Sequence, residues 1–80
     1  MSVTAVPIID VEATGQNIAA IRCSACISVR DMQEVLGFST PQAIYKWQRG
    51  DALPTIDNLV IIAARFGVKV DDILVFKRGA

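Results

Sequence analysis

The stretch LGFSTPQAIYKWQRGDALP, residues 36–54, constrains the fold more than any other part of the chain. Gly37 accepts a positive φ and therefore suits a tight turn after a helix. Ser39 or Thr40 can cap a new helix, and the proline that follows fits the first helical position. The pattern predicts a helix over about residues 41–49, which a glycine then ends.

The two sides of this predicted helix differ in chemistry. Ile44 and Trp47 lie three residues apart and therefore share one side. The opposite side carries polar residues at the spacing i, i+3, i+4, i+7, namely Gln42, Tyr45, Lys46 and Arg49. A short helix with one apolar side and one side of long hydrogen-bond donors is typical of helices that read a DNA groove.

Length and composition indicate one small domain. The chain has 80 residues, and 52% of them are hydrophobic, which is enough for a single core. It holds no apolar run of membrane-spanning length, and its first residues carry no basic side chain, so we expect a cytoplasmic protein without a signal peptide. The net charge of zero counts against bulk attraction to nucleic acid. However, residues 35–50 contain two basic side chains and no acid.

Four further helices are predicted from caps and apolar periodicity. In chain order they are residues 15–25 capped by Thr14, 29–36 capped by Ser28, 56–66 capped by Thr55, and a short helix over 70–75. The predicted core face of the fourth helix consists of Ile56, Leu59, Val60, Ala63 and Phe66. Five short helices with brief connections predict a compact all-α domain.

The N-terminal residues 1–13 are apolar and β-branched around Pro7, which disfavours a helix. We expect an extended N-terminal arm, containing at most one short strand, that lies over the domain. The alternative is strand exchange between two subunits. We therefore expect the helix-containing domain to occupy residues 14–76 and residues 77–80 to form a C-terminal tail.

Between residues 14 and 74 the sequence resembles the Cro/XRE-type helix-turn-helix domain of phage repressors and bacterial regulators. The matching segments, in order, are GQNIAAIR, IS, LGFS, IYKWQRG, LPT, DNLVIIAARFGV and DDIL. The resemblance implies a five-helix, lambda-repressor-like fold. It also implies that the second helix crosses the DNA backbone, that the third enters the major groove, and that the protein usually binds as a dimer.

On this resemblance we expect a sequence-specific, double-stranded DNA-binding transcriptional regulator that needs no cofactor and forms a weak homodimer. The expected DNA contacts are Ser28, Arg30, Ser39, Thr40, Gln42, Tyr45, Lys46 and Arg49. The alternative is a protein-interaction module of the same fold, such as an antitoxin-like partner that binds through its apolar arm. An enzyme finds no support, because the chain has no histidine and no Gly-rich phosphate loop.

The sequence departs from the family pattern at four places. Six residues, 38–43, separate the turn glycine from the isoleucine of the third helix where the family has five, so we expect that either the turn or the start of the third helix is reshaped. Val29 stands where the family has glutamine, and Gln33 where it has a small residue. Gln48 replaces a glutamate that in relatives resembles a partner of the arginine matched by Arg22. We therefore expect an Arg22–Gln48 hydrogen bond instead of an ion pair.

Cys23 and Cys26 form a C-x-x-C pair. A structural zinc site needs four ligands, and the chain has neither a histidine nor a third cysteine. A thioredoxin-type site needs a βαβ setting, which the predicted helices do not provide. We expect incidental reduced thiols, and a redox switch or a metal shared across a dimer stays open as the alternative.

Overall fold

The computed structural model describes residues 6–79 of the chain. Its elements in chain order are β1 (Pro7–Ile9), α1 (Val11–Ser24), α2 (Val29–Leu36), α3 (Gln42–Arg49), α4 (Ile56–Phe66), α5 (Val70–Ile73) and β2 (Phe76–Arg78). The predicted compact five-helix fold is confirmed, with a small two-stranded sheet in addition. Among the described residues, no helix is both long enough and apolar enough to cross a membrane.

Side-chain caps define the starts of α2 and α4 as predicted. The Ser28 hydroxyl accepts a hydrogen bond from the backbone N–H of Asp31 at 3.0 Å, and the Asp31 carboxylate accepts one from the Ser28 N–H at 3.4 Å. The Thr55 hydroxyl accepts from the N–H of Asn58 at 3.3 Å. These bonds satisfy N–H groups that have no partner within the helix.

The first helix begins earlier than predicted, and Thr14 does not cap it. The carboxylate of Asp10 accepts from the N–H of Ala13 at 2.9 Å, so the helix begins at Val11 and Thr14 lies inside it. Thr14 is fully buried. Its hydroxyl accepts from the N–H of Val75 at 2.9 Å and donates to the carbonyl of Val75 at 3.4 Å. The threonine therefore joins α1 to the segment after α5.

All five helices contribute to one core. Its fully buried apolar side chains include Ile18, Met32, Ile44, Ile62 and Ile73, one from each helix. Trp47 also lies in the core, where its ring meets that of Phe38 edge to face with 5.8 Å between centroids. The core position of Ile44 and Trp47 fixes which side of α3 faces outward.

The predicted core face of α4 is partly wrong. Ile56 is 79% exposed and Val60 is 54% exposed, whereas Leu59, Ile62 and Ala63 are buried. The buried set follows i, i+3, i+4, the spacing of a single helical stripe. Because eight of the eleven residues in this helix are apolar, the sequence allows two overlapping stripes, and packing against the other helices selects one.

Strand β1 pairs with β2 of the same chain in an antiparallel ribbon, in which Ile8 lies opposite Lys77. The N–H of Asp10 donates to the carbonyl of Val75 at 2.7 Å and continues the pairing. The fifth helix ends at Ile73, earlier than predicted, because the next residue has a ψ of 134° and leads into β2. Part of the predicted arm is thus a strand, while residues 1–5 lie outside the described residues.

Candidate nucleic-acid interface

Helix α3 presents a polar side to solvent. Its side chains Gln42, Tyr45, Lys46 and Arg49 are all exposed. On the opposite side Ile44 and Trp47 are buried. The two-sided character predicted from spacing is therefore confirmed for the helix itself. The outward side offers an amide, a phenol, an ammonium and a guanidinium within two helical turns.

Neither Ser39 nor Thr40 caps α3, although the sequence made both of them candidates. Pro41 occupies the cap position with φ −84° and ψ 4°, and α3 has no side-chain cap. The helix begins at Gln42, after the two hydroxyl side chains, which are exposed in the turn. The side-chain amide of Gln33 donates to the carbonyl of Phe38 at 3.1 Å. Gln33 of α2 thus holds the turn that leads into α3.

The eight predicted contact residues lie on consecutive parts of the helix-turn-helix. Ser28 and Arg30 are exposed at the start of α2, Ser39 and Thr40 in the turn, and the other four on α3. The hydroxyl of Ser28 is also the cap of α2, so it has a structural role of its own.

Asp51 is a neighbour of the site that was not predicted. The Nε of Arg49 lies 2.9 Å from a carboxylate oxygen of Asp51, and both side chains are more than half exposed. Exposed pairs of this kind add little stability. The pair nevertheless neutralises one of the two cations on α3. An acid two residues after the arginine, just past the glycine that ends the helix, is the signal that could have indicated it.

A guanidinium joins α1 to the helix-turn-helix. The Nη1 of Arg22 donates to the carbonyl of Ile27 at 2.9 Å, and its Nη2 donates to the Oε1 of Gln48 at 3.3 Å. The predicted Arg22–Gln48 hydrogen bond is therefore confirmed. The Nε of Arg22 is buried without a partner among the described residues. Because Ile27 precedes α2 and Gln48 lies on α3, this side chain helps to fix both helices relative to α1.

Cys23 and Cys26 are free, exposed thiols at the end of α1. In residues 6–79 they do not join a group of three or more potential metal ligands.

A family model described as helix-turn-helix, HTH_3, matches residues 18–73. The chain belongs to this Cro/XRE-type helix-turn-helix family. The family and its fold are those of DNA-binding regulators and not of enzymes. The match covers all of α2, α3, α4 and α5 together with the turn between α2 and α3. No curated protein sequence matches this helix-turn-helix chain significantly.

Three solved structures show the same fold. The DNA-binding domain of BldD from S. venezulae is 24% identical, with a TM-score of 0.68 over 82% of this chain and 97% of that one. The restriction-modification controller protein C.AhdI from Aeromonas hydrophila is 16% identical, with a TM-score of 0.71 over 80% and 96%. The clp gene regulator ClgR from Corynebacterium glutamicum is 21% identical, with a TM-score of 0.69 over 78% and 65%.

Proposed function

We propose that the protein is a sequence-specific transcriptional regulator that binds double-stranded DNA with α3 in the major groove. The exposed donor side of α3 is the observation that carries this proposal. The structural neighbours, which include a DNA-binding domain and a gene regulator, support it. An α-helix fits the width of the major groove, where each base pair presents a distinct set of donors and acceptors.

The side chains on α3 suit two kinds of DNA contact, hydrogen bonds to base edges and contacts to phosphate. Gln42, in the first turn, can donate to and accept from an adenine edge, and Arg49 can donate to a guanine edge. Lys46 lies between them and suits a phosphate oxygen, which fixes position without reading sequence. Tyr45 is exposed and can donate its hydroxyl to phosphate or stack.

The start of α3 offers a further contact to the DNA backbone. Helices α1, α2 and α4 all begin with a side-chain cap, whereas α3 does not. The N–H groups of its first turn therefore have no competing side-chain acceptor, and a helix N-terminus favours an anion. Ser39 and Thr40, exposed in the preceding turn, add hydroxyl donors for the same phosphates.

A homodimer on a two-fold site completes the proposal. One recognition helix reads too few base pairs, because a mismatch costs only about 1–3 kcal/mol and competing genomic sites are very numerous. Two copies of α3 would occupy half-sites about one helical turn apart. Strands β1 and β2, with the residues that flank them, form a ribbon at the two ends of the described chain, here called the terminal ribbon. We assign the dimer contact to its exposed apolar side chains, Val6, Ile8 and Phe76. Two unpaired strand edges make such a ribbon suited to self-association.

Selection of a binding site from random duplex DNA tests the proposal. Anisotropy titrations then compare the parent with Gln42→Ala and Lys46→Ala, and the matched control is Lys69→Ala, which directly precedes α5 and lies on neither α2 nor α3. Lys46→Ala should weaken binding to all sequences and reduce the salt dependence, whereas Gln42→Ala should change the preferred sequence. Both variants binding the selected site as tightly as the parent would contradict the assignment of α3.

A protein-interaction module is the second candidate, and one observation favours it. Ile56 and Val60 lie one turn apart on α4, and both are strongly exposed. An apolar pair of this kind suits a protein partner. If no sequence is enriched in the selection, this candidate replaces DNA binding, and Ile56→Ser should then weaken capture of the partner.

A further inference from the structure

The end of α1 is a hydrogen-bonded turn with a cysteine at each side. The N–H of Cys26 donates to the carbonyl of Cys23 at 3.0 Å, and the N–H of Ile27 donates to the carbonyl of Arg22 at 3.1 Å. Paired bonds of this type end many helices and place one residue in the left-handed conformation. Here that residue is Cys26, with a φ of 57°.

Glycine normally occupies such a position, and the other helices of this chain follow that rule. Helices α2, α3 and α4 end at Gly37, Gly50 and Gly67, whose φ values are 72°, 81° and 69°. Within residues 6–79, Cys26 is the one residue other than glycine with a positive φ. A side chain is disfavoured in this conformation. Because Cys26 is exposed, burial of its side chain does not offset this effect.

We propose that Cys23 and Cys26 form a thiol–disulfide exchange site whose reaction partner is a low-molecular-weight disulfide such as oxidised glutathione. The turn that joins them brings Cα atoms three residues apart to within about 7 Å. A disulfide spans Cα separations of about 4.4–6.8 Å. Both thiols are exposed, so a small disulfide in solution can reach them.

The exchange is balanced without any further reactant. The thiolate of one cysteine attacks a sulfur of the small disulfide, whose S–S bond breaks, and one small thiolate leaves and takes up a proton. The second cysteine, as a thiolate, then attacks the protein sulfur of the mixed disulfide and displaces the other small thiolate. The protein loses two electrons and two protons, and the small disulfide is reduced to two thiols. An excess of the small thiol reverses both steps.

The bridge would close beside the contacts that hold the helix-turn-helix. Ile27, next to Cys26, is the carbonyl partner of Arg22, and Arg22 also bonds Gln48 of α3. Ser28, the cap of α2, follows directly. Adjustment of the turn to disulfide geometry therefore moves the start of α2, so the oxidised protein should bind its DNA site several-fold more weakly. This consequence, unlike the exchange itself, rests on the proposed function.

Intact mass measures the exchange without DNA. The full chain is equilibrated with graded ratios of reduced and oxidised glutathione, quenched with acid and alkylated. The expected product is a monomer that lacks two hydrogen atoms, takes up no alkyl group and returns to the dithiol with excess reduced glutathione. Two attached glutathiones, a disulfide-linked dimer or an unreacted dithiol would each overturn the proposal.

Two variants serve as controls. Cys26→Gly suits the left-handed position and should keep or raise the unfolding midpoint, while Cys23→Ser keeps the size of the side chain. Because each variant keeps only one cysteine, its reaction should end at one mixed disulfide with glutathione. In the DNA titration, only the parent should bind more weakly after oxidation, and equal affinity of its two forms would overturn the coupling to DNA. If the reduced parent binds no DNA, only the proposed function is contradicted. The mass measurements still test the exchange site, because they do not involve DNA.

Discussion

Gly15 of α1 lies directly against the backbone carbonyl of Trp47 in α3. A Cβ atom on Gly15 would overlap the carbonyl oxygen and lie 2.7 Å from the carbonyl carbon. The obstacle is backbone, which cannot move aside as the end of a flexible side chain can. The absence of a side chain at Gly15 thus sets how closely α1 approaches the helix that carries the proposed DNA-reading face.

We predict that Gly15→Ala destabilises the protein by about 1–3 kcal/mol, as overpacking does. The sign of the change in the free energy of unfolding is informative, because a Gly→Ala change inside an unobstructed helix stabilises a protein by about 1 kcal/mol. Urea unfolding measures the difference. The control is Gly67→Ala, where no atom lies within 4 Å of the added Cβ and only the positive φ, with a cost of about 1–2 kcal/mol, opposes the change. A Gly15→Ala protein as stable as the parent would contradict the close contact.

Arg22→Ala should destabilise the fold by about 1–3 kcal/mol, because it leaves the Ile27 carbonyl and the Gln48 amide without their charged donor. Arg65→Ala is the matched control. Arg65 is exposed and lies 5.9 Å from the centre of the Phe66 ring, a contact worth less than about 1 kcal/mol. Urea midpoints of the two variants provide the comparison, and equal midpoints would argue against a structural role for Arg22.

Gln48→Glu should raise the free energy of unfolding by about 1 kcal/mol at neutral pH, since a charged acceptor replaces a neutral one opposite Arg22. The guanidinium should hold the pKa of the new carboxyl below its ordinary value of about 4.3. The gain is therefore complete above that pH and disappears as the pH falls through the lowered pKa. Gln16→Glu, on the exposed side of α1, should show neither effect in unfolding curves measured from acid to neutral pH.

Local signals in the sequence predicted the caps of α2 and α4 and failed for those of α1 and α3. Ser28 and Thr55 cap their helices because each directly precedes an apolar periodic segment. Thr14 has the same chemistry, but Asp10 comes first and begins the helix, so the threonine becomes buried. The choice depends on Val75, which is distant in sequence and bonds the Thr14 hydroxyl. A pattern confined to neighbouring residues cannot contain that contact.

The candidate site was predictable where helical periodicity determines it. The outward side of α3 follows from the burial of Ile44 and Trp47. The ion pair between Arg49 and Asp51 was not predicted, because it depends on how the chain turns after α3. The left-handed conformation of Cys26 was also not predictable from the sequence, since cysteine seldom replaces glycine at the end of a helix.

Asp51→Asn should tighten binding of a selected DNA site several-fold at low salt. The change removes a negative charge beside α3 and frees Arg49 for phosphate or guanine. The free energy of unfolding should fall by less than about 1 kcal/mol, because the pair is exposed. Anisotropy titrations over a range of salt concentrations measure the effect, with Asp71→Asn on α5 as the control. Unchanged or weaker binding at low salt would show that the pair does not restrain Arg49 away from DNA.

We predict that two copies of the protein associate through the terminal ribbon. Phe76 is 52% exposed on β2, opposite Ile9 of β1, so Phe76→Ser removes an apolar contact from the proposed interface and leaves the core intact. A substitution is cleaner than deletion of residues 1–9, because deletion would also remove the strand that pairs with β2. Sedimentation at rising concentration should show a weak dimer for the parent and a dissociation constant at least about tenfold higher for the variant, a loss on the order of 1.4 kcal/mol.

Ile56→Ser is the control for this measurement, since Ile56 is also exposed and apolar but lies on α4 and on neither ribbon strand. Its dimer should form as in the parent. Binding to a two-fold DNA site should remain cooperative for the control and become weaker and less cooperative for Phe76→Ser, because the DNA then has to bring together two chains that no longer associate. A parent that stays monomeric at high concentration and binds DNA one chain per site would exclude the dimer.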